Sequence, residues 1–225
     1  MKVKRLAAAA IPLALAAAVA VAASGTAHAA TANGYQSASI HDELVKLSHL
    51  KTLSACPGYA RSKFPDNEPS DVSSGHELDG KRLSLRYYVI ELESSNAHIP
   101  AGKTQSWMTG TLHNKYTGTN ITLRHGPDTT AIQVDHIVAL GDAWKTGACH
   151  WASATRKAFA IDLAELRAVD THSNEQKSDK DAAQWLPQAN RTWYVGTQIN
   201  VKAKYGLGVS SAERSAMIRV LKTGK

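Results

Sequence analysis

Residues 132–144 read IQVDHIVALGDAW. A mostly apolar run reaches Val134, Asp135 and His136 interrupt it, and Ile137 to Leu140 resume it. Polar groups of this kind are costly to bury unless they are paired. The short run predicts a strand from Thr130 to Val134 ending at Asp135-His136. Ile137, Leu140 and Trp144 then fall on one helical face. Neighbours at a strand end point to opposite faces, so Asp135 can face a metal while His136 faces a water. A hard cation needs an oxygen ligand, and a general base needs a pKa near neutrality. Taken alone, such a dipeptide is most often structural, with the histidine satisfied in or near the core.

A second stretch, ELRAVDTHSNEQK at 165–177, adds weight. Leu166 to Val169 is another short apolar run ending in polar groups, and Asn174 follows. A strand ending in an acid and a histidine, a second strand, and a helix bearing an oxygen ligand form the layout of a ββα-metal site. In that layout Asp135 and Asn174 bind one divalent cation beside a scissile phosphate. His136 deprotonates the attacking water, and basic residues hold the phosphate. His172 is either a further ligand or an ordinary turn residue.

The rest of the chain frames these pieces. Ile40, Leu44 and Leu47 predict a short N-terminal helix. CPGYARSKFPDNEPSDVSSGHELDGK, 56–81, reads as mostly loop. SLRYYVIELE, 84–93, reads as a strand because it is rich in Tyr, Val and Ile. Thr109 to Leu112 and Asn120 to Arg124 read as the arms of a hairpin turning at Asn114 to Gly118. DKDAAQWLP is a helical turn stopped by Pro187. RTWYVGTQINVKAKY and SAERSAMIRVL are helices, the latter capped by Ser211. The class is α+β: a ββα-metal core decorated with an N-terminal helix, a hairpin and C-terminal helices.

Lys2, Lys4 and Arg5, the apolar run Leu6 to Ala23 and the Ala27-His28-Ala29 triplet read as a secretory signal peptide over 1–29. The other reading is a membrane anchor. Export leaves no membrane segment in the mature protein. Residues 30–84 then form an N-terminal helix and loop region, and 85–225 the main domain. Removing 1–29 takes three of the 26 basic side chains and none of the 19 acidic ones. The remaining positive surplus lies after residue 155, which suits a polyanionic partner. Cys56 and Cys149 are expected to pair in an oxidising compartment, the other reading being two buried thiols.

TGTLHNKYTG, VDHIVALGDAW, RKAFAIDLAELRAVDTHSNEQKSDKDAAQWLP and VKAKYGLGVSSAE together resemble the HNH endonucleases. In particular, they resemble a branch of small secreted bacterial proteins related to the nuclease domain of modification-dependent restriction enzymes. YARSKF, 59–64, adds a weaker match. The resemblance implies His136 as general base, with Asp135 and Asn174 as ligands of one divalent metal ion, Mg2+ or Mn2+ ahead of Zn2+. It places Arg156 and Lys177 at phosphate, with Asp179 and Asp181 to orient them. Trp144, Trp185 and Tyr205 read as packing rather than base stacking. Lys202 and Lys204 read as a solvated face or as backbone contacts to nucleic acid.

Two positions depart from the family pattern. Ile161 stands where an asparagine is usual, and Glu165 stands at the middle asparagine. Glu165 can accept an imidazole N–H and so orient His136, it can join the metal site, or it marks a damaged site. The function implied is a secreted, metal-dependent endonuclease of DNA, with RNA as a further substrate. It would read phosphates rather than sequence and act as a monomer. The alternative is an impaired relative that binds nucleic acid without cutting it.

Overall fold

In the computed structural model, which describes residues 37–52, 56–65, 67–124 and 131–225, the N-terminal apolar spacing forms helix α1 (Ser37–His49). The signal-peptide segment lies outside the described residues, as does Thr130, the expected first residue of the central strand. The stretch expected to be loop contains a hairpin instead. Strands β1 (Ser73–Leu78) and β2 (Lys81–Ser84) pair antiparallel. Asp79 and Gly80 turn between them with φ of 49° and 71°. That Asp-Gly pair is a hairpin signal, because both central residues of such a turn need positive φ.

SLRYYVIELE is helical, not extended: α2 covers Leu85–Leu92. Leu85, Val89 and Ile90 are buried on one face. The Leu85 and Arg86 amides, orphaned at a helix start, donate to the Val72 and Pro69 carbonyls at 2.7 and 3.0 Å. Tertiary packing therefore overrides the β preference of Tyr, Val and Ile. Strands β3 (Ser94–His98), β4 (Thr109–His113) and β5 (Asn120–Leu123) form one antiparallel sheet in that order, and β4–β5 is the expected hairpin.

The central strand is β6 (Ile132–His136), followed by α3 (Leu140–Lys145) and α4 (Ser153–Ala160). It pairs antiparallel with β7 (Leu166–Asp170), His136 opposite Leu166. Helix α5 (Thr171–Lys177) starts directly after β7, with the Asp170 side chain accepting from the Ser173 amide. Helices α6 (Arg191–Tyr205) and α7 (Ser211–Thr223) close the chain. The cap of α7 is Ser210, one residue before the expected Ser211.

Two hydrophobic clusters flank the β6–β7 pair. Leu166 and Ala168 face one, with Leu85, Val89 and Leu112, whereas Val169 faces the other, with Tyr194, Ile199 and Met217. Burial on both faces fits the Leu, Ala and Val of β7, a short apolar run that Arg167 interrupts. Lys202 is fully buried rather than solvated, 2.8 Å from Asp142 and 2.7 Å from Glu213, so it ties α3, α6 and α7 together. Removing one member of such a buried set costs about 3–5 kcal/mol. Lys204 is exposed and pairs with Asp162 at 2.5 Å. Cys56 and Cys149 form a disulfide with Cα atoms 6.4 Å apart. Among the described residues, no helix is long and apolar enough to cross a membrane.

Candidate active site

β6 delivers Asp135 and His136 to one cleft, which Asn174 of α5 also lines. Their partners differ, as the strand alternation requires. Asp135 Oδ2 accepts from the Tyr116 hydroxyl at 2.5 Å, and Oδ1 accepts from Lys177 Nζ at 2.9 Å. Tyr116 belongs to the turn between β4 and β5 and is fully buried against Trp185 and Tyr194. Burial, then the Asp135 charge, pushes its phenol well above the ordinary range, so it stays a donor.

His136 Nε2 lies 2.9 Å from the Ala160 carbonyl. A carbonyl only accepts, so Nε2 carries the proton and the Nδ1 lone pair remains. Ala160 ends α4, where carbonyls lack partners within the helix. Burial drives the imidazole pKa down to about 3, and the Arg61 and Lys177 charges push the same way against the Ala160 carbonyl. His136 is therefore neutral at physiological pH, and its pKa lies below the near-neutral value expected of a general base.

Among the described residues Glu165 makes no hydrogen bond to the imidazole, the first of the three roles expected for it. It is fully buried, and its carboxylate accepts from the Val138 amide at 3.0 and 3.3 Å. Its own carbonyl accepts from the Ile137 amide at 2.9 Å. Glu165 thus pins the turn leaving β6, while Ala160 orients the ring. Burial raises the Glu165 carboxyl well above the usual carboxylate range, and the Val138 amide and Lys177 oppose that.

The two cations expected at phosphate are engaged elsewhere. Lys177 is fully buried and donates to Asp135 and to the His136 carbonyl at 2.8 Å. Arg156 donates to the Lys63 carbonyl at 2.7 Å and to the Trp151 carbonyl, and its guanidinium lies over the Trp144 ring. Asp179 pairs with Lys145 at 2.9 Å, and Asp181 accepts from the Ala183 and Gln184 amides, so neither orients Arg156 or Lys177. His172 is exposed on α5 and outside the cleft lining. Trp144, Trp185 and Tyr205 pack against the main core.

Five residues gain weight that their sequence context did not give them. Tyr116 sits inside the matched TGTLHNKYTG segment and holds Asp135. Tyr59 and Arg61, from the weak YARSKF match, line the cleft. Gln133 accepts the Asn174 Nδ2–H at 2.7 Å. Gly141 lets the wall close, because a Cβ there would lie 2.9 Å from Asp179 Cβ.

The donor set can be tested against a divalent ion. Each Asp135 oxygen accepts one hydrogen bond and has a second acceptor direction. Asn174 spends its Nδ2–H on Gln133 and keeps its amide oxygen. A carboxylate and an amide oxygen in one cleft fit a hard cation of the Mg2+ or Mn2+ kind. Cys56, Cys149 and His150 also offer donor atoms within 4.8 Å of one another, but both sulfurs are spent in the disulfide.

Residues 79–220 match the family described as GmrSD restriction endonucleases, C-terminal domain. A protein of Arthroderma benhamiae described as an uncharacterized secreted protein is 30% identical over 192 residues, covering 83% of this chain and 86% of the relative. No solved structure matches.

Proposed function

This chain belongs to the family of GmrSD restriction endonuclease C-terminal domains, and on that footing we propose that it is a secreted, metal-dependent nuclease hydrolysing phosphodiester bonds of DNA. The β6–β7–α5 unit is its ββα-metal core. One observation carries the reading: a buried His136 whose Nε2–H is fixed by the Ala160 carbonyl, leaving Nδ1 as an acceptor, beside Asp135 in a cleft. Export is supported by the description of the relative and by the composition of residues 1–29.

His136 Nδ1 accepts a proton from a water, and the water oxygen attacks phosphorus as the P–O3′ bond breaks. The 5′-phosphate and a 3′-hydroxyl result, the latter protonated from solvent. Asp135 and Asn174 would hold a divalent ion, which supplies neutralisation of charge at the phosphate and the leaving oxygen. Tyr116 and Lys177 keep the Asp135 carboxylate in place, and Glu165 keeps the turn after His136 in place. Specificity rests on phosphate contacts, which carry no sequence information.

The test uses the mature protein with supercoiled plasmid in Mg2+, Mn2+, Zn2+ or EDTA, beside His136→Ala. Nicking should need metal and should fall by roughly 10²–10⁴-fold in the variant. A variant that cuts like the parent removes His136 from the mechanism. An uncut plasmid that is retarded at low salt instead identifies a binding relative without turnover.

A further inference from the structure

The site needs a cation for phosphate, and neither Arg156 nor Lys177 is placed to supply it. A second cleft adjoins the first, and the two share Arg61, Val134 and Asn174 in their linings. Arg61 is the charged member of that shared set. Its side chain is 53% exposed, donating to Glu68 at 2.9 Å and to the Asn67 carbonyl at 3.2 Å. Those bonds engage two of its five N–H donors among the described residues. Glu68 is 60% exposed, and an exposed ion pair of this kind contributes little to stability.

Other cations near the clefts are less suited. Lys145 neutralises Asp179, and Arg86 donates to the Ile132 carbonyl at 2.6 Å. The Arg61 segment is also firmly anchored. Cys56 is bonded to Cys149, Trp144 Nε1 donates to the Pro57 carbonyl at 3.0 Å, and Arg156 holds the Lys63 carbonyl. An anchored guanidinium is a preorganised fork for phosphate oxygens.

We infer that Arg61 is the residue that binds a backbone phosphate of the nucleic acid beside His136, exchanging Glu68 for that phosphate when substrate enters. Glu68 holds the guanidinium between turnovers and competes with the polyanion for it. Arg156 is a positioning residue in this arrangement, acting through the Lys63 carbonyl. The inference rests on the nuclease reading of the same cleft, but its test includes a readout that needs no cleavage.

The experiment compares the parent, Arg61→Ala, Arg61→Lys and Glu68→Gln. Binding of a fluorescent DNA duplex in EDTA is measured over a series of salt concentrations, and plasmid nicking is measured with metal. Circular dichroism and thermal melting check each fold. Arg61→Ala should weaken binding at least tenfold and lower the slope of log affinity against log salt by about one. Its KM should rise more than its kcat falls. Arg61→Lys should recover part of the affinity, and Glu68→Gln should bind at least as tightly as the parent. Unchanged affinity and salt slope in a folded Arg61→Ala overturn the inference, as does a parent that binds no duplex. If the parent cuts through His136 while Arg61→Ala behaves like it, the nuclease reading stands and this inference fails. If Arg61→Ala loses binding while the parent never cuts, the inference stands and the cleavage reading fails.

Discussion

At residue 165, where the family pattern has an asparagine, a buried carboxylate holds the turn after His136. It accepts from the Val138 amide, while the Ala160 carbonyl takes over the imidazole. The departure at 165 therefore leaves His136 oriented. What Glu165 contributes is an acceptor for a buried N–H, and an unmade bond of that kind costs about 1–3 kcal/mol. Glu165→Ala should lose at least that much in denaturant unfolding, since it also leaves a cavity. Glu165→Gln keeps an oxygen for the Val138 amide and removes the burden of burying an acid, so it should unfold at the same denaturant concentration as the parent or higher. A Gln variant as damaged as the Ala variant would mean that the charge, not the acceptor, matters there.

At the scale of elements, Glu93 links α2 to β7. It follows the last residue of the helix, accepts from the Ala168 amide at 3.0 Å, and lies 3.7 Å from Arg167. Burial raises its pKa to about 7, against the partial pull of Arg167. The folded state thus holds a proton that the unfolded state releases near 4.5, so folding stability falls as pH rises between those values. The loss is roughly 3 kcal/mol and is complete above pH 7. Glu93→Gln should match the parent near pH 4.5 and exceed it at pH 8, measured as unfolding midpoints; an equal difference at both pH values would refute this. The same contact shows why α2 was not legible in sequence. Its residues favour strands one by one, and only packing on β7 and the Pro69 and Val72 carbonyls makes the helix. The β1–β2 hairpin was legible at Asp79-Gly80, but β1 alternates exposed and half-buried, and in β2 only Leu83 is buried, so neither strand carries an apolar stripe. β6, β7, the β4–β5 hairpin and the C-terminal helices were legible because their apolar periods match their burial. Tyr116 and Arg61 were not, since their proximity to Asp135 and His136 arises from contacts distant in sequence.

Over the whole molecule, the Cys56–Cys149 bond sets how firmly the segment bearing Tyr59 and Arg61 is held at the cleft. The cysteines are 93 residues apart in sequence. Closing a loop of that size removes enough freedom from the unfolded chain to stabilise the fold by about 4–5 kcal/mol in the chain-entropy view. Such a bond persists in an oxidising compartment and is lost in a reducing one. The Trp144–Pro57 and Arg156–Lys63 contacts remain after reduction, so the segment loosens rather than departs. Reduction should therefore lower the guanidinium midpoint markedly. In protein still folded at the assay temperature, it should raise the KM for plasmid more than it lowers kcat. Because His136 and Asp135 are held by Ala160, Tyr116 and Lys177, none of them on that segment, their chemistry should survive the loosening. Unfolding curves and nicking rates measured with and without a reductant, with thiol titration to verify the break, test both parts. An unchanged midpoint in fully reduced protein would show that the bond does not support the fold, and a loss confined to kcat would show that the segment serves the reacting atoms rather than the substrate's grip.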